Sequence, residues 1–351
     1  MKAITNPDAG VVEVTELPEP TLLEPTDALL RVTTTAICGS DLHMIGREGR
    51  KRDPSHAMGH EFLGIVEEVG SAVRDLRVGE RYVAAMYTVC GRCAACVRGE
   101  HNSCAHMILM GTGSDVGAFN TPNVAGGQAE LVRVPRAELT LWPIPDDVSD
   151  EDIFSISDIL STVFTVYEEV ALTRGETVAV VGAGPVGQLA VMAAPLFGAS
   201  KVYCVDLVPD RLRRAEEFGA IPVAGDGDAA AEIRDATGGV GVDVAFEAVG
   251  ADSAFLTAFD ALAVGGRLGF VNVGAAFPIT PGAMFARRAT IKAVLGNPFR
   301  WRDALTRLIA SGRIEPSRIV SHRMALADGK DAYEEFKSKR ANKVLLVPGR
   351  S

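Results

Sequence analysis

The sequence predicts an α/β chain of two lobes, one β-rich and one built on a doubly wound parallel sheet. Three observations carry that expectation. Residues 1 to about 135 are dense in valine, threonine and glycine, and the runs ALLRVTTTAI, FLGIVEEVG and RYVAAM are set apart by Gly, Pro and Asp, as short strands joined by turns would be. From about 175, apolar β-branched runs alternate with helical patterns: TVAVVG, PVGQLAVMAAPLFGA, KVYCVD, RLRRAEEFGA, VDVAFEAVG, ADSAFLTAFDALAVGG and RLGFVNVG. Such alternation argues for βαβ units around a buried parallel sheet. After about 298 come a helical RWRDALTRLIASG, a second helix around DGKDAYEEFKS and a final strand KVLLVPG. These roughly 50 residues are too few for a domain of their own and are expected to pack back on the first lobe. The resulting domains are 1–158 with 298–351, discontinuous, and an inserted 159–297.

Composition limits the function. A length of 351 residues, 47% of them apolar, suffices for two packed cores. The opening MKAITNPDAG has no apolar leader region, and no stretch reaches the roughly 18 apolar residues of a bilayer span; a soluble, cytoplasmic protein is expected. A net charge of -10 repels a phosphate backbone and argues against nucleic acid as a partner. Six cysteines in so long a chain are too sparse for a disulfide scaffold, which leaves metal binding as the leading use of those that cluster.

GAGPVG, residues 182–187, follows the strand-like TVAVV and precedes a helical run. Gly182 permits the tight turn, Gly184 lets the backbone approach a pyrophosphate, and Gly187 allows close contact of helix and strand. Pro185 and Val186 open the helix, where the proline's missing N–H costs nothing and the helix N-terminus supplies partial positive charge. Asp206 ends the strand KVYCVD, 19 residues past Gly187. Its carboxylate is placed to accept from ribose hydroxyls and to repel a 2′-phosphate, which selects NAD over NADP, with Arg211 against the adenosine. Pro195 falls inside the predicted helix and costs about 3 kcal/mol there, so a kink or early end is expected.

Cys90, Cys93, Cys96 and Cys104 are spaced C-x2-C-x2-C-x7-C, short enough for one loop to wrap an ion. Four thiolates favour Zn2+ and fill its coordination sphere, so this site is structural; an iron–sulfur cluster is the alternative. Cys38 in CGSDLH, His60 in GHEF and Asp158 in SISDILSTVF have the makings of an open metal site. Each alone has a plainer explanation: a core cysteine, a hydrogen-bonded histidine, a helix cap. Asp158 stands out because it heads an apolar run, where an ionised carboxylate needs a strong partner.

CGSDLH, GHEFLGIVEEVG, the cysteine quartet, GAGPVG and the trailing acid occur in one order along nearly the whole chain, and in this the chain resembles the zinc-dependent medium-chain alcohol dehydrogenases. The resemblance implies a GroES-like catalytic domain, a Rossmann domain, two zinc ions per chain, NAD, and a reaction in the cleft between domains. It implies that Cys38, His60 and Asp158 hold the catalytic zinc. The commoner form puts a second cysteine where this chain has Asp158; the aspartate variant resembles bacterial secondary-alcohol and formaldehyde dehydrogenases, and SDILST and GGQAELVRVP lean toward the latter. Glu61 would approach the metal during ligand exchange, and Asp41 would orient His60. The family's pyrophosphate arginine is replaced by Gly39, and Lys343 is the candidate substitute. Ser40 would contact the alcohol oxygen and His43 would pass its proton to solvent. Zinc lowers the pKa of bound water from about 15.7 to about 7, and a comparable shift for an alcohol amounts to about 12 kcal/mol.

The basic segment GREGRKRD, residues 46–53, is read as a solvated loop, with Arg50, Lys51 or Arg52 recruiting an anion as the sharper hypothesis. His56, His101, His106 and His322 are read as structural. The substrate expected is a small alcohol or aldehyde hydrate, and the family suggests a homodimer or homotetramer. The rival readings are a polyol or amino-alcohol dehydrogenase and a catalytically silent NAD-binding regulator.

Overall fold

The computed structural model describes residues 1–48, 52–112, 121–271 and 277–349. Its contacts divide the chain into two compact units, Met1–Asp158 with Asn297–Ser351, and Ile159–Gly296.

The first unit is organised by a mixed seven-stranded sheet. Ala28–Ala36 lies at its centre, antiparallel to Phe62–Val69, to Leu131–Val134 and to the late strand Lys343–Val347. Arg81–Ala84 and Leu141–Pro143 extend one side, and Val320–Ala325 closes the other, parallel to Lys343–Val347. The last segment therefore belongs to this unit through strand pairing as well as helix packing. β-Branched and aromatic residues at alternate positions bury one face in a core that includes Leu30, Val32, Phe62, Val66, Tyr82 and Val132. The lobe is not purely β: an eight-residue helix, Gly39–Gly46, follows the central strand, its start capped where Asp41 at N3 accepts from the Cys38 N–H.

The second unit is a six-stranded parallel sheet in the order Ile221–Ala224, Lys201–Asp206, Thr177–Val181, Val242–Glu247, Leu262–Phe270, Thr290–Ala293. That order reverses between Thr177–Val181 and Val242–Glu247, the switch point at which open α/β sheets bind ligands. The helix after the glycine loop runs Pro185–Ala193 and tightens to a 3-10 turn over Ala194–Phe197, an early end at Pro195. The strand expected from RLGF begins earlier, at Leu262. Pairing with Val242 and a register shift draw LAVGG into it, against the helical periodicity of the preceding run. Among the described residues no helix is long and apolar enough to cross a membrane.

Candidate active site and metal centres

The central strand hands Cys38 to the N-cap of helix Gly39–Gly46. His60 precedes the neighbouring strand Phe62–Val69, after Gly59, whose φ of +90° only glycine adopts without strain. Ala36 N–H and Thr35 Oγ1–H both donate to the Glu61 carbonyl, at 2.9 and 3.0 Å, locking the two segments in register. Asp158 ends a fully buried 3-10 turn, Phe154–Ser157. Together these elements place one donor atom each from Cys38, His60, Glu61 and Asp158 within 4.8 Å of one another. His60 Nε2 lies 3.1 Å from Asp158 Oδ2, and Cys38 Sγ lies 3.8 Å from the same oxygen. Such spacings approach the edges, about 3.3–3.8 Å, of a tetrahedron around zinc at ordinary bond lengths.

Electrostatics separate the four. Both oxygens of Glu61 meet Lys343 Nζ, at 2.8 and 2.7 Å, and this pair is 0% and 1% exposed. Lys343 also donates to the Ile37 carbonyl at 3.0 Å. The structure thus gives Lys343, read from the sequence as a phosphate ligand, a buried carboxylate and a carbonyl as its partners. With Glu61 balanced by Lys343, Cys38, Asp158 and a neutral His60 bring two negative charges, which match a divalent cation. Without that cation, burial and then Glu61 push the Cys38 thiol up. Burial opposes charge on His60, but Asp41, then Asp158, outweigh it and hold the imidazole well above its ordinary value.

Asp41 lies behind His60: its Oδ1 is 3.3 Å from Nδ1, and its Oδ2 accepts from Cys38 N–H at 3.0 Å. Ser40 Oγ is 3.3 Å from His60 Nε2, beside the clustered donors, and His43 is exposed one turn later on the same helix. Arg52 donates to Asn6 Oδ1 and to the carbonyls of Ile45 and Arg47. It clamps its own loop, which explains the side chain without an anion. Arg50 and Lys51 lie outside the described residues.

Cys90, Cys93, Cys96 and Cys104 form a second group of donors and are all free thiols. The sulfurs of Cys93 and Cys96, Cys104 and Cys90, and Cys93 and Cys104 are 3.5, 3.7 and 3.9 Å apart, against about 3.8 Å for the edge of a ZnS4 tetrahedron. An iron–sulfur cluster set among them would hold the sulfurs further apart. Backbone N–H groups of Cys90, Cys93 and His106 point at these sulfurs, each at 3.4 Å. Hydrogen bonds from the backbone at Cys96 and Ala105 lower Cys93 to about 6, whereas burial and then Cys93 raise Cys96 to about 12. Cys93 and Cys96 are thus shifted in opposite directions. The stems of this loop reach the other centre: Met86 N–H donates to the Ser157 carbonyl at 3.2 Å, and Gly59 N–H to that of Gly111 at 2.9 Å. Ser157 and Gly59 immediately precede Asp158 and His60.

In the second unit the glycine loop has the predicted shape. Gly182 has φ +101°, and a Cβ on Gly187 would lie 1.7 Å from the Gly182 carbonyl oxygen. Gly184 faces open space bordered by Arg211 Nη1 at 3.7 Å. Pro185 and Val186 begin the helix. Asp206 Oδ2 accepts from Ala183 N–H at 2.7 Å and Oδ1 from Val208 N–H at 2.8 Å, so the acid also braces the loop it follows. Burial lowers the Arg211 pKa, and Asp206 partly offsets the shift. Sequence reading passed over Glu247. It ends the adjacent strand fully buried, accepts from Val249 and Gly250 N–H at 2.7 and 2.8 Å, and so shapes the turn that packs on Gly182. An acid closing an apolar strand ahead of AVG was the available signal.

Comparison with known proteins decides the family. The alcohol dehydrogenase GroES-like domain matches residues 24–146 and the zinc-binding dehydrogenase domain residues 185–311. An alcohol dehydrogenase of Cupriavidus necator is 33% identical, with 99% of each chain covered. The chain belongs to the zinc-binding alcohol dehydrogenases. An L-threonine 3-dehydrogenase of Bacillus velezensis is 30% identical to this dehydrogenase, again over 99% of each chain. Among solved structures, the alcohol dehydrogenase TADH from Thermus sp. ATN1 superposes on it with a TM-score of 0.91 at 37% identity, covering 99% of this chain and 100% of that one. It is therefore an oxidoreductase with a GroES-like lobe and a Rossmann-type sheet.

Proposed function

We propose that this chain oxidises a small alcohol with NAD, using an open zinc site made by Cys38, His60 and Asp158. One observation carries the reading: sulfur, imidazole and carboxylate donors from three distant segments converge within 4.8 Å in a buried setting. Nothing in ordinary packing favours gathering such groups, since buried anions are costly without a cation. A bound zinc supplies Lewis acidity toward an alcohol oxygen, and NAD supplies the hydride acceptor.

The chain's own residues do the rest. Ser40, beside the Nε2 of His60, receives the substrate hydroxyl's hydrogen bond, and His43, exposed on the same helix, carries the proton to water. Asp41 keeps His60 turned toward the site by accepting at Nδ1. Glu61 stays paired with Lys343 and adds a third carboxylate close by without adding net charge. Gly182, Gly184 and Gly187 shape the dinucleotide loop. Asp206, fixed by two backbone donors, presents its remaining lone pairs to a ribose and selects NAD, with Arg211 beside the adenosine. The cysteine quartet holds a second, closed zinc. Residues 1–158 with 298–351 form the catalytic domain and 159–297 the nucleotide domain, in a cytoplasmic homo-oligomer.

A second reading, oxidation of an amino alcohol, is favoured by the similarity to an L-threonine 3-dehydrogenase. Metal analysis joined to an NADH absorbance screen tests both. Two zinc ions per chain and NADH formation with simple alcohols support the first reading. NADH formation with threonine but not with simple alcohols replaces it with the second, and a chain that holds one zinc and makes no NADH overturns both.

A further inference from the structure

Behind Asp41 a second layer of polar groups is sealed from solvent. Gln128, 0% exposed, donates from Nε2 to the Ala36 carbonyl at 3.1 Å and to Asp41 Oδ2 at 3.3 Å. Its Oε1 accepts from the Tyr333 hydroxyl at 2.8 Å, and Tyr333 is 3% exposed. The amide orientation follows from chemistry, since a carbonyl oxygen only accepts and the atom facing Ala36 must therefore carry hydrogen. Every hydrogen in the chain then points one way: Tyr333 to Gln128, Gln128 to Asp41, and Cys38 N–H to the same carboxylate oxygen. Asp41 has only acceptors to offer, so His60 must present N–H at Nδ1, and in the neutral imidazole the lone pair is then on Nε2, which faces Asp158.

Gln128 also fixes position. A Cβ placed on Gly59 would lie 2.3 Å from Gln128 Cγ, so the amide's stem fills the space beside the residue that precedes His60. The hydrogen bonds of Gln128 and Tyr333 go to Ala36, to Asp41 and to each other. We infer that Gln128, oriented by Tyr333, is a positioning residue that sets the orientation and hydrogen placement of His60 through Asp41. This rests on the proposed reading of the Cys38, His60 and Asp158 site. Buried polar groups of this kind act as a unit, and removal of one outer partner typically costs about 10–100-fold in metal affinity or activity.

The test uses the full-length protein loaded with cobalt at both centres. Gln128→Met keeps the stem's volume and removes both donors and the acceptor; Tyr333→Phe removes one hydroxyl. Three quantities are read: the visible cobalt bands of the mixed-ligand site, its rate of metal loss to a chelator, and the same rate at the cysteine site. For Gln128→Met we expect shifted bands and about 10–100-fold faster loss from the mixed site, with the cysteine site unchanged. Tyr333→Phe should move the same quantities in the same direction by less, and it still reports if Gln128→Met does not fold. Wild-type bands and rates in a folded variant overturn the inference, as does equal acceleration at both centres, the mark of general loosening. A wild-type chain that binds metal only through its cysteines overturns the reading of the site and the inference with it.

Discussion

The two donor clusters of the first unit are built in opposite ways. The cysteine quartet draws its donor sulfurs from fifteen consecutive residues, carries its backbone donors with it and, on the proposed assignment, would fill the coordination sphere of a zinc. The mixed cluster draws Cys38, His60 and Asp158 from three segments, and its supporting residues, Asp41, Gln128, Tyr333 and Lys343, from both ends of the chain. A closed site can be written locally because it only has to hold. An open site needs fixed ligands with one position unclaimed, and rigidity of that kind comes from packing between distant strands.

The sharpest attack on this contrast is His60→Ala. NADH formation should fall about 10⁴-fold or more, metal analysis should show one ion lost, and the cysteine ion should stay. Loss of both ions would mean that the mixed cluster, too, is a scaffold element. Ser40→Ala should lower turnover about 10²–10³-fold, in the range of a lost proton-transfer partner, with both ions retained. Near-normal turnover would remove Ser40 from the proton path.

Lys343→Met probes the support of the mixed cluster. It leaves Glu61 buried without its cation and should cost about 3–5 kcal/mol in denaturant unfolding, whereas Lys343→Met with Glu61→Gln should recover much of that loss. Equal stability of single and double variants would show that the pair does not act as one. The smallest effect is expected from Cys104→Ser, which should release the cysteine ion and lower turnover about tenfold, since the loop's stems bond to Ser157 and Gly59. Unchanged turnover with that ion gone would make the centres independent.

The division between local and distant support also explains what the sequence could tell. The quartet is one contiguous pattern, and the glycine loop and Asp206 lie close enough in sequence to be read together. Cys38, His60 and Asp158 became legible only as an ordered set within a family resemblance, because nothing near any one of them names the other two. Gln128 and Tyr333 stand 205 positions apart, and Glu61 and Lys343 stand 282 apart. Their partnership exists only because Lys343–Val347 pairs with Ala28–Ala36 and the helix Gly329–Lys337 precedes it. A lysine in the final strand therefore reads naturally as a free cation for a phosphate, whereas the fold buries it against a glutamate.

The bonds from Met86 to Ser157 and from Gly59 to Gly111 give the sulfur-wrapped loop a second office. It is a strap whose two ends are fastened next door to the carboxylate and the imidazole, so fraying at its tip should be felt where, on the proposed reading, the alcohol would react. On the proposed assignment, an agent that strips the first ion should also slacken the frame of the second.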